Sequence, residues 1–422
     1  MMSYFIFILS RMNKYILLIL VIFFLTSCNT SRLSEFKKDF KNVLSDDFDK
    51  KQFSEMLDKY PELRVHSDVI SLSEALLGNQ HEKYPLKEFI NDDLYKDNID
   101  QLINNGNPFQ KTIAYMVIAS GGDSTKVPIL LEKIKTETDE YPLMWSGMAL
   151  LYMKCNHTTA LFDFFCRNQN LPLENMFPLY FQFNKDSLQK TAYNRIHSED
   201  DFAKILSAQM LSVTPLNKKT EELLLNAAKN WNIKIKGYAI YSIKELRIGN
   251  LLETFKPLID SSKTSKIALE ALANSPTDID VQYVYSLVEQ ADTVSEDLLD
   301  CLCNSNNINS IRYCLKVLYT KPIPKDYQLG AYGDYVIRSM TILPDIHIAI
   351  EKVENIDIKS DLIRTLEDKT DEKSIELLKK YLDHGNSTLR YWTAKTIVEN
   401  PSEAFNSDEI HKKVKIILES EN

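Results

Sequence analysis

Ten glycines in 422 residues leave this chain few places at which to reverse sharply. Average usage of about 7% would supply nearly three times as many. Tight hairpins and phosphate-cradling loops depend on glycine, so a chain this poor in it reads as helical. The apolar pattern agrees. Leu33, Phe36, Phe40, Val43 and Leu44 fall at helical spacing with Lys37, Lys38, Asp39 and Lys41 on the other face. Shorter stretches follow at Phe53 to Leu57, at Val69 to Leu77, and between Leu86 and Ile103, so residues 32 to 105 read as an irregular helical region. From Asn107 onward the chain settles into paired helices joined by short polar turns. Pro108 to Ser120 pairs with Val127 to Ile134, Leu143 to Met153 with Thr159 to Cys166, Ile235 to Leu246 with Leu251 to Ile259, and Lys266 to Ala273 with Val281 to Gln290. An interval of about 30 to 35 residues with two helices per unit is the signature of an α-solenoid, in which each unit buries its apolar face against its neighbours. With 44% apolar residues the chain has ample material for such a core.

The clearest unit is the last full one, Lys373 to Glu399. Ile375, Leu377, Leu378, Tyr381 and Leu382 face one way, Asp383-His384-Gly385-Asn386 turns the chain, and Leu389, Thr393, Ala394 and Ile397 face back. This resembles a HEAT repeat, whose inter-helix Asp and following Val-Arg-x-x-Ala pattern match Asp383 and Leu389-Arg390-x-x-Thr393-Ala394. Ile235-Lys236-x-x-Ala239 matches more weakly, with Lys for Arg. The resemblance implies an all-α superhelix over residues 107 to 422, with Asp383 and Arg390 binding the turn as structural residues. It carries no catalytic residue and no cofactor.

The N-terminus has a different character. Arg11 and Lys14 precede an apolar run from Tyr15 to Leu25, and Leu25-Thr26-Ser27-Cys28 ends it with small residues before the first cysteine. The order of basic, apolar and small residues is that of a secretory signal, and the apolar run is short of the roughly 20 residues that span a bilayer. Met12-Asn13-Lys14 would serve as an n-region by itself, which makes Met12 an expected second start. The four residues resemble the lipobox of bacterial lipoproteins. The resemblance implies that a peptidase recognising Leu25, Thr26 and Ser27 cuts before Cys28, which carries the lipid. The expected organisation is then a signal peptide at 1–27, an irregular helical region at 28–106, and the repeat array at 107–422. An uncleaved N-terminal helix is the alternative.

Cleavage would remove two basic residues and no acid, taking the formal charge from −9 to −11. So acidic a body argues against nucleic acid and against a polybasic grip on lipid, which leaves the anchor to hold the membrane. Asn29-Thr30-Ser31-Arg32 has neither the Asp of inner-membrane retention nor the acidic run of surface export, so the expected address is the outer membrane, facing the periplasm.

Chemistry is hard to place. No HExxH, GxSxG, P-loop, GxGxxG or EF-hand pattern occurs, and the seven histidines are scattered without ligand spacing. Neither metal nor enzymatic activity is expected. Cys301-Leu302-Cys303 lacks the spacing and partners of a zinc site, and these thiols together with Cys314 read as buried structural residues. Cys155 and Cys166 would pair only if neighbouring helices bring them together. Asp278/Asp280 and Asp357/Asp361 read as helix caps, and Ser198 to Asp201 as a capping box. Two interruptions break the rhythm, Leu171 to Lys190 and Thr320 to Pro344. The second gathers Tyr327, Tyr332 and Tyr335 beside two glycines and two prolines, and these tyrosines are the expected partner-binding candidates. The expected function is a lipid-anchored envelope scaffold or adaptor that binds another protein. Alternatives are an all-helical envelope enzyme acting on glycans, betrayed by two facing carboxylates in a cleft, and an immunity-type lipoprotein that neutralises a toxin.

Overall fold

The computed structural model describes residues 32–63, 86–153, 157–171, 176–259, 264–329 and 340–420. Among the described residues the chain is all-α, with helices joined by turns and short 3₁₀ segments and with no strand. They fall into two compact units that divide between Arg195 and Ile196. No helix of the described residues is long and apolar enough to cross a membrane.

The first unit holds α1 (residues 32–43), α2 (Lys50–Lys59), α3 (Leu86–Phe89), α4 (Asp93–Asn105), α5 (Pro108–Gly121), α6 (Val127–Thr136), α7 (Glu140–Tyr152), α8 (Thr158–Arg167), α9 (Phe177–Tyr180) and α10 (Lys185–Arg195). Helix α5 is its centre. Thr112 to Ala119 are all buried, so this helix is apolar on every side and packs against α2, α3, α4 and α7. Its first turn is a capping box between Asn107 and Gln110. The same two side chains reach back: Asn107 Nδ2 donates to Phe48 O at 2.7 Å, and Gln110 Nε2 to Val43 O at 2.7 Å and Ser45 O at 3.0 Å. Residues 106 and 107 therefore sit inside this unit, fastened to the α1–α2 connection. Beside them Phe36, Phe40, Tyr60, Phe89 and Tyr95 form an aromatic cluster, with Phe89 5.0 Å from Phe36 and 4.9 Å from Phe40 between ring centroids.

An ion pair within this unit titrates with folding. Lys111 Nζ lies 3.0 Å from Glu137 Oε2, and the Glu137 side chain is only 4% exposed. Burial works against its ionisation, but the Lys111 ammonium and the N–H groups of Asp139 and Thr138 outweigh it and hold the carboxyl below its ordinary value. A depressed acid contributes stability above its unfolded pKa and loses it as pH falls through the folded value. Glu137→Gln is therefore expected to cost about 1–3 kcal/mol near pH 7. The gap between variant and parent, read from urea midpoints, should close as the pH is lowered through and below about 4. A gap independent of pH would refute the assignment.

The second unit stacks its helices in two rows. The close row begins with α11 (Asp201–Ser212), α13 (Ile233–Glu245), α15 (Ser265–Asn274) and α17 (Glu296–Cys303). The open row holds α12 (Lys218–Asn230), α14 (Leu252–Ile259), α16 (Asp278–Gln290) and α18 (Ile308–Thr320). Four helices follow as two pairs, α19 (Leu343–Lys352) with α20 (Ile356–Arg364) and α21 (Glu372–Leu382) with α22 (Ser387–Glu399), and α23 (Asp408–Ser420) closes the array. Close-row members pack directly on one another, α11 on α13, α13 on α15, α15 on α17 and α20 on α22, whereas α12, α14 and α16 touch only lightly.

Polar side chains link each unit to the next at the repeat distance. Ser242 Oγ donates to Ala208 O across 34 residues, Ser305 Oγ to Ala273 O across 32, Asn400 Nδ2 to Leu366 O across 34, and Tyr381 OH to Ile350 O across 31. These are bonds to backbone carbonyls at or near helix ends. A further polar link, this one from a buried carboxylate, is Asp280 in the first turn of α16. Its carboxylate is fully buried and caps another helix, accepting from Leu251 N at 3.0 Å, Leu252 N at 2.9 Å and Ser275 Oγ at 2.6 Å. The local cap expected of Asp280 is thus replaced by one on α14, while Asp278 is exposed. At α11 the cap is Asp200, which accepts from Phe202 N, and Ser198 Oγ in turn accepts from Asp200 N.

Among the described residues the close row has a break. Its members start at residues 201, 233, 265 and 296, and then at 356 and 387, so the step after Glu296 is double. The described chain at that place, Lys321 to Leu329, has no helix. It spans the gap as a strap: Val294 N donates to Pro322 O at 2.9 Å on one side, and Asn355 Nδ2 to Lys325 O at 3.1 Å and Leu329 N to Asp361 Oδ2 at 3.2 Å on the other. Opposite the strap the open row tightens, and α18 packs directly on α19.

Candidate docking groove

Helix α18 presents two faces. Ile311, Cys314, Leu315, Val317 and Leu318 are buried. Arg312, Tyr313, Lys316 and Tyr319 lie on the opposite side at spacings of one, three and four residues, and line a groove of about 360 Å³. Tyr285 from α16 and Asp345 and Ile348 from α19 complete its walls.

Aromatic faces dominate this groove. Tyr285 and Tyr313 stack with ring centroids 4.0 Å apart and planes 23° from parallel. Tyr313 OH donates to Glu289 Oε1 at 2.6 Å, and Lys321 Nζ holds the other oxygen of that carboxylate at 2.8 Å. Burial, then the Glu289 carboxylate, pushes the Tyr313 phenol above its ordinary value, so it stays a neutral donor. Lys352 Nζ stands 5.1 Å from the centroid of the Tyr319 ring. Arg312 is fixed by Asp345 Oδ2 at 3.2 Å and Thr341 O at 3.1 Å. Ile348 is an uncovered apolar side chain, 43% exposed. Stacked, half-buried tyrosines, one of them with its hydroxyl already held on Glu289, cost little to immobilise, which suits recognition. No protein-family model matches the chain, and no characterised protein matches it.

A second, wider groove of about 810 Å³ in the first unit is lined by Lys135, His157, Arg167 and Arg195 with Asp163. Its cations are largely engaged. Arg195 Nη2 meets Asp163 Oδ1 at 2.7 Å, and Arg167 Nε donates to Asp163 O at 3.1 Å. It lacks aromatic anchors. Among the described residues no three His, Cys, Asp or Glu side chains are grouped to hold a metal.

The residues singled out from the sequence are scattered through the molecule. Leu25, Thr26, Ser27 and Cys28, Cys155, and Tyr332 and Tyr335 lie outside the described residues. Tyr327 is described and is only 3% exposed, with its hydroxyl 3.3 Å from Asp300 Oδ1. The strap turns it inward, so it fills the core and offers a partner no surface. Arg390 Nη1 donates to His384 O at 2.8 Å and Gly385 O at 3.0 Å, clamping the α21–α22 turn. Asp383, in that turn, pairs instead with Lys413 of α23. The groove tyrosines were overlooked because each sits on a regular helix, and only packing brings Tyr285 against Tyr313. The signal available was the run Arg312, Tyr313, Lys316, Tyr319, which puts long polar and aromatic side chains on one stripe.

Proposed function

We propose that this protein is a lipid-anchored adaptor of the bacterial cell envelope, which holds another protein against the tyrosine groove of its second unit. The observation that carries the reading is the Tyr285–Tyr313 stack, bordered by Tyr319 and the uncovered Ile348. Leu25-Thr26-Ser27-Cys28 supports the anchor, with cleavage before Cys28 and lipid on its sulfur and new N-terminus. The acidic body gives no other grip on a membrane. The residues after Cys28 favour the outer membrane, with the body in the periplasm. The regular spacing of the helices and the Arg390 clamp favour a HEAT-like kinship for the repeats.

The test is in-cell crosslinking with the anchor intact, followed by purification and identification of what is bound. A partner crosslinked by the parent should be lost about 30-fold from Tyr313→Ala and Tyr319→Ala, the scale of an interface anchor worth about 2 kcal/mol. Circular dichroism would check that both variants remain folded. Cys28→Ala should leave the membrane fraction while its body keeps the same partner in solution. Equal capture by all the folded groove variants, or turnover of an envelope glycan with nothing crosslinked, would overturn the reading. Retention of Cys28→Ala in membranes would show an uncleaved helical anchor.

A further inference from the structure

We propose that Cys303 and Cys314 are a dithiol that closes to a disulfide, stapling α17 to α18 behind the groove. The two Sγ atoms face each other at 2.6 Å with nothing between them, and they are 11 residues apart in the chain. Neither is accessible, at 1% and 0% exposure. The third cysteine of the cluster is sorted out by the helix itself. Cys301 stands two residues before Cys303, about 200° away round α17, and its thiol donates to Leu298 O at 3.1 Å. The covalent bond of a disulfide is about 2.04 Å, so a small approach of two already opposed side chains makes it.

The strap controls access to the pair. Tyr327 is buried beside both thiols, and its hydroxyl is held on Asp300 of α17. Burial keeps the Cys301 thiol protonated, the hydrogen bond with Cys303 and then burial do the same for Cys314, and a protonated thiol is a poor nucleophile. Exchange therefore takes place when the strap lifts or before it has docked. In the first step a deprotonated cysteine attacks one sulfur of an external small disulfide of the glutathione type and expels one thiolate. The second cysteine, losing its proton, attacks the mixed disulfide and expels the other. One S–S bond forms in the protein and one breaks in the oxidant. Two electrons pass to the oxidant, which leaves as two thiols with the two protons. A thiol in excess runs the sequence backwards. Since Tyr313 directly precedes Cys314, the bond would fix the helix that forms the groove wall, and this holds whether or not that groove binds a protein.

The experiment refolds the full chain from denaturant in a buffer of reduced and oxidised glutathione, blocks free thiols with an alkylating reagent and maps the peptides by mass. The expected result is a single peptide pair joined through Cys303 and Cys314, lighter by two hydrogens than its reduced form. Its melting temperature should stand about 5–10 °C above that of the reduced protein, a difference that a thiol reductant removes. Cys303→Ser and Cys314→Ser should lack this difference and Cys301→Ser should keep it. Alkylation of both Cys303 and Cys314 after oxidative refolding, or linkage of either to another cysteine, would overturn the proposal. The mapping uses the unaltered chain, so it decides the matter even if a serine variant fails to fold.

Discussion

Replacing Asp280 with alanine is expected to destabilise the second unit by about 3 kcal/mol, because it strips a buried carboxylate from three donors that cannot reach water. Leu251 N, Leu252 N and Ser275 Oγ would each be left facing a cavity. For a unit of this size the melting temperature should fall by about 6–12 °C. Asp280→Asn keeps the volume and one oxygen for Leu251 N and Leu252 N but loses the charge and the acceptor for Ser275 Oγ, so it should recover only part of the loss. Asp278→Asn, in the same helical turn but exposed, should stay within about 0.5 kcal/mol of the parent. Thermal and urea melts of the three variants provide the comparison. Equal behaviour of Asp280→Ala and Asp278→Asn would show that the cap on α14 contributes nothing.

The second large effect is expected at Phe89. This ring sits in a helix of four residues, too short to stand by itself, yet Phe36 and Phe40 of α1 and Tyr95 of α4 all lean on it. Phe89→Ala should cost about 3–5 kcal/mol, as truncation of a fully buried aromatic does. The loss should also be uneven. Helix α1 depends on this cluster and on the bond from Tyr60 OH to Asp39, so it should become sensitive to limited proteolysis before the rest of the unit unfolds. Phe89→Leu, which keeps most of the volume, should restore protection. Uniform loss of protection across the first unit would show that α1 is no separate element.

The contrast between these two sites shows what was legible in the sequence and why. The helices and the polar turns between them follow from scarce glycine and from apolar spacing, both local signals, and α15, α16, α21 and α22 lie close to where that spacing puts them. Asp280 is different. An acid in a first turn reads as a local cap, and nothing nearby announces that the helix it serves begins 28 residues upstream. Tyr327 misleads for a related reason. A tyrosine in a proline-rich, non-helical stretch looks exposed, but the strap turns this one inward onto Asp300, beside Cys303 and Cys314. The groove draws on three helices, so its stacking geometry belongs to no single segment.

The clamping of α1 has a further consequence for reach. Phe36 is fully buried in the aromatic cluster, and only eight residues separate it from Cys28. Even drawn out fully, eight residues cover no more than about 28 Å. With lipid on Cys28, as proposed, the leash is therefore shorter than many domains are wide. So anchored, the first unit would pivot over its own patch of bilayer and could not range away from it. A partner docking on the first unit would then have to come down to the membrane to do so.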